Sequence, residues 1–206
     1  TLGCSLTRPA ELFEGSIGRP ASGVFWYGFI WATVGGLFQW LWGLLLSGAE
    51  EAQIKQVLET LQQTNPEVAD AMRQWMQLSH SGAGVLAVLW VPVGAALGIL
   101  IWAALLHLSA LVFGAAGGGW DATFKAVCYS QGPQVFNIVP QVGPLVALIW
   151  GVVIQIVGIQ KLHGTTTGKA ALVVLIWYLL CCLCICGGAF LAGMAVAGAA
   201  GAGGLQ

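Results

Sequence analysis

Uncharged polar side chains, most of them amides, are unusually dense in one otherwise apolar stretch. They fall between residues 126 and 160, a stretch without a charged residue. In a membrane, amides beside broken helices can line a solute path. They can equally satisfy backbone groups that prolines have freed, which the fold requires in any case. We favour the second interpretation. The residues of this candidate polar cavity or helix-break network are Gln131, Gln134, Asn137, Gln141 and Gln155.

Four cysteines crowd one apolar segment near the end of the chain, at 181, 182, 184 and 186. Thiolates favour soft metal ions such as Cu(I) or Zn(II). However, one helix cannot surround a tetrahedral ion with all four side chains, and thiols in apolar surroundings stay protonated. We therefore interpret Cys181, Cys182, Cys184 and Cys186 as small apolar residues.

Histidines are the remaining candidates for chemistry. His80, His107 and His163 are predicted to lie on different crossings or ends. His107 is the one titratable group inside its apolar run, and we expect it to be neutral and hydrogen-bonded between helices. The sequence shows no nucleophile elbow, no paired intramembrane carboxylates and no His-x-x-x-His pair. We predict no catalytic residue, no metal site and no cofactor, and hence no enzyme.

Composition places these residues in a membrane protein. The chain has 206 residues, of which 58% are hydrophobic and only 7% are charged, against roughly 25% charged in soluble proteins. The net charge of −1, with seven Lys and Arg residues, excludes the basic face that nucleic-acid binding needs. The lipid bilayer is the partner that composition implies.

Apolar runs recur often enough to predict an all-α, polytopic helical bundle with about five transmembrane helices. Pro133, Pro140 and Pro144 should break the third and fourth helices into a short pair, because proline removes a backbone donor. Pro92 should kink the second crossing. The predicted crossings are residues 24–46, 84–113, 124–139, 144–162 and 169–196, together forming a single domain over residues 24–206.

Two segments are predicted to lie outside the apolar core of the membrane. Residues 1–23 carry Leu12, Phe13 and Ile17 on one side, as in an interfacial amphipathic helix. Residues 49–79 contain five of the eight acidic residues and two short amphipathic helices. A solvated loop would explain this composition equally well. If the segment binds a partner, its candidate surface is Ile54, Leu58, Leu61, Met72, Trp75 and Met76.

The positive-inside rule gives an orientation for five crossings. With the N-terminus inside, the inner segments hold five basic residues and the outer segments hold only Lys55 and Arg73. The inner five are Arg8, Arg19, Lys125, Lys161 and Lys169. The sequence therefore predicts that the N-terminus is inside and the C-terminus outside.

A short series of motifs resembles the Yip family of Ypt/Rab-interacting multi-pass membrane proteins, in its bacterial branch. The motifs are Tyr129-Ser130-Gln131-Gly132-Pro133, Pro140 with Gly143, Trp150, and Gly158 through Gly168-Lys169-Ala170. The resemblance implies a five-helix membrane fold in a bacterial cytoplasmic (inner) membrane. Eukaryotic members are implicated in vesicle trafficking and bind Rab GTPases through a long cytosolic N-terminal region. Only about 23 residues precede the first crossing here, so GTPase binding is not expected.

Two functions remain open from the sequence. The first is a non-catalytic scaffold or accessory subunit that organises a membrane assembly, with other membrane proteins or a second copy of the chain as partners. The alternative is a small-solute or lipid transporter or channel that uses the broken helices of residues 129–160. The transporter requires a continuous polar cavity containing the amides, whereas the scaffold does not.

Overall fold

The computed structural model describes residues 1–18, 20–80 and 88–203, and these residues are almost entirely helical, without a strand. The expected all-α polytopic architecture is confirmed. In chain order the helices are α1 (Leu2–Thr7), α2 (Pro9–Glu14), α3 (Ala21–Thr64), α4 (Pro66–His80), α5 (Trp90–Val112), α6 (Gly119–Tyr129), a 3-10 helix (Gly132–Ile138), α7 (Val142–His163) and α8 (Thr167–Gly203).

Four stretches of the described helices are long and apolar enough to cross a membrane. They are Ala21–Leu46, Trp90–Val112, Val142–His163 and Thr167–Cys184. The predicted third crossing, residues 124–139, is instead divided between α6 and the 3-10 helix. With 11 residues, α6 is too short to cross the membrane alone, because a helix rises about 1.5 Å per residue and the apolar core is about 30 Å thick.

Two compact units make up the described chain. The first contains Thr1–Leu41 and Leu89–Tyr178, and the second is drawn from Trp42–Val88 and Leu179–Gln206. Both polar networks described below belong to the first unit. The second unit holds the distal part of α3 and all of α4.

Helix α6 lies at the centre of the first unit. All eight residues from 122 to 129 are buried, and the helix packs against α5 and α7. Helix α3 also approaches it closely, since a Cβ on Gly28 would lie 2.8 Å from the Cα of Cys128. On α7, a Cβ on Gly158 would lie 2.8 Å from the Cβ of Ala126. Glycines on two neighbouring helices therefore let α6 fit between them, as small residues do in membrane bundles.

The N-terminal segment packs against the same unit. Phe13 of α2 is fully buried, and its ring contacts that of Tyr129 edge-on at 5.6 Å. Glu14 forms an ion pair with Lys161 of α7 at 2.6 Å. Of the predicted apolar side, Phe13 lies in the protein core, whereas Ile17 remains 65% exposed. Helix α2 is thus attached to α6 through an aromatic contact and to α7 through an ion pair.

A sharp change of direction separates the 3-10 helix from α7. Gly132 and Pro133 begin the 3-10 helix, where the missing proline N–H costs no helical bond. Gln141 then adopts a φ of 63°, a left-handed conformation uncommon for a residue with a side chain. Helix α7 begins at Val142, immediately after it. The expected break between the third and fourth helices is therefore present, with Gln141 at the turn.

Two predicted boundaries differ from the structure. Helix α3 continues past residue 46 to Thr64, because its polar distal part keeps good helix formers and contains no proline. Asn65 then caps α4, its Oδ1 accepting the Val68 N–H at 3.3 Å, as the Asn65-Pro66 pair predicts. Pro92 lies in the first turn of α5, so it helps to begin that helix and does not kink its middle.

Candidate functional site

An amide network joins α5, α6 and α7. Gln155 of α7 is buried, and its Nε2 donates to Ser130 Oγ at 3.0 Å. Its Oε1 accepts from Trp102 Nε1 of α5 at 3.2 Å. Ser130 Oγ, at the C-terminal end of α6, donates in turn to the Val127 carbonyl at 2.7 Å. The Gln155 amide therefore links α5 to α6 and uses both its oxygen and its nitrogen to do so.

Three of the other predicted amides take part in hydrogen bonds to residues three or four positions away in the sequence. Gln131 Nε2 donates to the Val127 carbonyl at 3.2 Å, and Asn137 Nδ2 donates to Gln134 Oε1 at 2.6 Å. Gln141, at the turn, is exposed. The structure thus brings Gln155 and Gln131 to one end of α6, pairs Gln134 with Asn137 on the 3-10 helix, and leaves Gln141 on the surface.

A cavity beside the break is lined by other residues. It has a volume of about 380 Å³, and its walls are almost wholly apolar: Leu6, Phe136, Val146, Ile149 and Trp150. A second cavity, of about 330 Å³, lies along α3 against Val34, Leu37, Phe38, Trp40 and Leu41. Neither has one of the five predicted amides in its wall, and both suit acyl chains better than a polar solute.

A histidine network joins the same three helices at the other end of α6. His107 Nδ1 of α5 and His163 Nε2 of α7 each lie 3.0 Å from Thr123 Oγ1 of α6. The backbone N–H of Gly118 donates to His163 Nδ1 at 3.0 Å. Trp120 covers the His107 ring edge-on, with ring centres 5.6 Å apart. Two histidines that are 56 positions apart in the sequence are therefore joined by a single hydroxyl.

The Gly118 bond indicates a position for the ring hydrogen of His163. A backbone N–H can only donate, so His163 Nδ1 must accept and the ring must be neutral with its hydrogen on Nε2. His163 Nε2 then donates to Thr123 Oγ1. Among the described residues His107 Nδ1 is the acceptor left for the Thr123 hydroxyl proton, which places the His107 hydrogen on Nε2 as well. All three bonds point in one direction, from Gly118 to His107.

Sequence reasoning missed this pairing because it placed the histidines on separate crossings or ends. The expectation that His107 is hydrogen-bonded between helices agrees with its bond to Thr123. What the sequence did not reveal is that His163, at the end of α7, shares the same oxygen. The available signal was Thr123 itself, a lone hydroxyl seven positions before Ser130 on a short helix, hence two turns away on the same face.

Both networks are suited to holding α6 in place. Each joins α5, α6 and α7, and each is built from neutral groups that already have partners. Within the described residues, no group of three His, Cys, Asp or Glu side chains is placed to hold a metal ion. The arrangement offers polar cross-links in an apolar bundle, where isolated polar groups are costly.

The predicted partner surface lies in the second unit. Leu58 is buried, Ile54 and Leu61 are half-buried, and Met72 is 41% exposed. Trp75 and Met76 lie in α4, but their side chains fall outside the described residues. The structure therefore keeps part of this surface covered and presents Met72 to the outside.

The clustered cysteines lie on α8. Cys181, Cys182 and Cys184 are exposed, and none of the three takes part in a disulfide. The Cys186 side chain falls outside the described residues. An exposed row of thiols on an apolar helix is consistent with a surface that faces acyl chains.

Comparison with known proteins assigns the family. A model of the Yip1 domain matches residues 3–189. No curated protein and no solved structure matches the chain. The match covers α1 to α7 and most of α8, including both polar networks and the turn at Gln141. A chain with this match and these apolar helices is a membrane protein that belongs to the Yip1 family.

Proposed function

We propose that this protein is a non-catalytic scaffold or accessory subunit that organises other components of a membrane assembly. The supporting observation is how the interior polar groups are used. Gln155 bonds Ser130 and Trp102, and the histidine network closes on Thr123. The Gln155 amide and the two histidine rings are already occupied in holding α6, so the groups that we propose for a protein partner lie on the outer surface.

The segment from the distal part of α3 to α4 provides that outer surface. Among its described apolar side chains, Val57 is 49% exposed and Val68 and Met72 are each 41% exposed. Exposed Glu59, Glu67 and Asp70 stand among them in the sequence. A partner that covers this segment would present an apolar patch with basic residues at its rim.

We place the protein in the cytoplasmic membrane of a bacterium, with the N-terminus inside and the C-terminus outside. With α6 and the 3-10 helix counted together as a fifth crossing, this orientation puts five of the seven basic residues on the inner side. It also puts the acidic segment outside, where the proposed partner would meet it. Cysteine labelling of Thr1 and Glu67 variants in intact cells tests the orientation, since only the outer position would react with an impermeant reagent.

The transporter alternative has less support. It requires the amides of residues 129–160 to line an open polar path, whereas Gln131 bonds a backbone carbonyl and Asn137 bonds Gln134. The cavity beside the break is lined by Trp150 and other apolar side chains. The amides therefore act on the protein's own helices.

The test is recovery of partners in mild detergent, followed by mass spectrometry. We expect the wild-type chain to bring a fixed set of membrane subunits or further copies of itself. Met72→Glu and Val68→Glu should reduce that recovery at least tenfold, because each puts a charge into an apolar contact with the partner. Both positions are exposed, so the substitutions should not disturb folding.

The matched control is Gln62→Glu, which adds the same charge at an exposed position of α3. Recovery should be nearly unchanged in this variant. If the wild-type protein were recovered from detergent without partners and as a single copy, this result would contradict the scaffold proposal. Equal recovery with Met72→Glu, Val68→Glu and wild type would show that the partner binds elsewhere.

A further inference from the structure

A third cavity in the first unit is unlike the two apolar ones. It has a volume of about 460 Å³ and lies where α6 begins, where α7 ends and where the chain leads into α3. Its volume falls within the range of small-molecule sites, roughly 300 to 1,000 Å³. Its walls are Ile17, Gly18, Pro20, Gly118, Asp121, Ala122, Lys125 and Leu162.

Lys125 is the unusual member of this wall. Its side chain is only 6% exposed, and lysine is almost never buried to this extent without partners. Its Nζ lies 2.7 Å from Asp121 Oδ2, and Asp121 is the partner that the described residues offer it. An ammonium group has three N–H donors, so two of them have no acceptor among the described residues while the side chain borders a cavity.

Buried donors need acceptors, because an unsatisfied charged donor costs more than a neutral one. An anionic oxygen group in the cavity would supply them. The cavity also carries a carboxylate, and Asp121 is 56% exposed, so its oxygens remain accessible to a ligand. Among the described residues of the wall, the charges of Lys125 and Asp121 balance, which disfavours a purely anionic ligand next to Asp121 and favours one that brings a positive charge as well.

The surroundings indicate where such a ligand comes from. The cavity lies at the ends of two apolar helices, Val142–His163 and Ala21–Leu46, which is the level at which lipid headgroups meet the protein. Ile17, on its rim, is 65% exposed and apolar. A molecule with a charged head and an apolar tail would match both the charged wall and this rim.

We propose that this cavity binds the headgroup of a zwitterionic aminophospholipid, with Lys125 donating to the phosphate and Asp121 accepting from the amine. The shared chemistry is a phosphate ester with a primary amine, which a free headgroup also carries. Phosphatidylcholine lacks the N–H donors for Asp121, and phosphatidylglycerol lacks the amine altogether. Both should therefore bind more weakly than phosphatidylethanolamine.

The experiment uses the full chain, freed of native lipid in detergent and titrated in native mass spectrometry with short-chain lipids. We expect phosphatidylethanolamine to bind at least fivefold more tightly than either of the other two lipids. Lys125→Met should reduce this affinity at least tenfold, since it keeps the length of the side chain and removes the donors. Asp121→Asn should remove most of the preference for phosphatidylethanolamine over phosphatidylglycerol.

Lys169→Met is the matched control, because Lys169 is an exposed lysine at the start of α8 and lines none of the three cavities described. The affinity of the Lys169→Met variant for phosphatidylethanolamine should equal that of the wild type. Should Lys125→Met fail to fold, Ile17→Glu and Ile17→Lys replace it, since Ile17 is exposed. The glutamate should weaken binding by repelling the phosphate, and the lysine should strengthen it.

Three results would overturn the proposal. Unchanged affinity for phosphatidylethanolamine in Lys125→Met, or in both Ile17 variants, would show that this cavity does not bind the lipid headgroup. Equal binding of the three lipids would remove the role assigned to Asp121. Glycerophosphoethanolamine binding as tightly as the lipid would assign the site to a free headgroup and reject a membrane ligand. None of these results bears on partner recovery through α4, so the two proposals fail independently.

Discussion

The histidine network and the amide network join the same three helices in different ways. In the histidine network one oxygen, Thr123 Oγ1, serves both neighbouring helices. In the amide network two different atoms bond the two neighbouring helices. The Gln155 oxygen accepts from Trp102 of α5, and the Gln155 nitrogen donates to Ser130 of α6. The first network therefore depends on an atom of α6 itself, and the second on a side chain of α7. This difference predicts which substitutions loosen α6 most.

Thr123→Val should have the largest effect. The change keeps the shape of the side chain and removes the hydroxyl, so both imidazoles lose a partner at once. Interhelical hydrogen bonds in membranes contribute about 0.6 kcal/mol on average and up to about 1.7, so we expect the free energy of unfolding to fall by about 1–3 kcal/mol. Unfolding by SDS titration measures it.

The control for this prediction is Thr123→Ser. It keeps the oxygen and loses one methyl group, which costs about 0.8 kcal/mol on transfer grounds. A serine variant as unstable as the valine variant would show that packing, and not the shared hydroxyl, stabilises this end of α6.

Gln155→Leu should have the next largest effect, about 1–2 kcal/mol, because it leaves the Trp102 N–H without its acceptor inside an apolar bundle. The double variant Gln155→Leu/Trp102→Phe should lose less than the sum of the single variants, since they remove the same bond. Gln160→Leu, at a half-buried position of the same helix, is the control. If the losses of unfolding free energy in the two single variants added up to the loss in the double variant, this would contradict the Trp102–Gln155 bond.

Ser130→Ala should have a smaller effect, about 0.5 kcal/mol, because the Trp102–Gln155 bond survives it. This is where the two networks differ most clearly: the α6 hydroxyl is central in one and terminal in the other. The same SDS titration compares Ser130→Ala with Thr123→Val. Equal losses would mean that the two hydroxyls play equivalent roles.

The tautomers of the two histidines provide a further test, first in the wild-type protein and then in one variant. We expect His107 and His163 both to carry their hydrogen on Nε2, which the ¹⁵N shifts of labelled histidines report at neutral pH. In Thr123→Val the His163 tautomer should persist, because the Gly118 N–H still donates to its Nδ1. A hydrogen on His163 Nδ1 in the wild type would contradict the assigned direction of the bonds.

The sequence predicted the class of fold and the break between the third and fourth helices, because these depend on local features. Long apolar runs indicate helices in a membrane, and Pro133, Pro140 and Pro144 interrupt them wherever they lie. It could not show that residues 119–129 form a short buried helix. Burial on every side depends on neighbours that come from distant parts of the chain, such as Gly28 and Gly158.

The same limit applies to the candidate site. The amides were conspicuous because they stand close together in the sequence, and Gln131, Gln134 and Asn137 do find partners within four positions. The partners of Gln155 are distant, since Ser130 and Trp102 lie 25 and 53 positions away. His163 was not conspicuous, because its partners lie 40 and 45 positions away at Thr123 and Gly118. A single sequence predicts which polar groups need partners, but only the three-dimensional arrangement identifies distant ones.

The short length of α6 has a consequence for how the chain is made. The insertion machinery recognises a membrane segment by its own apolar length, and an 11-residue helix carrying Asp121 and Lys125 does not meet that requirement. Its polar partners on α7 are synthesised only after it. We therefore expect α6 to enter the membrane together with α7, after α7 has been synthesised.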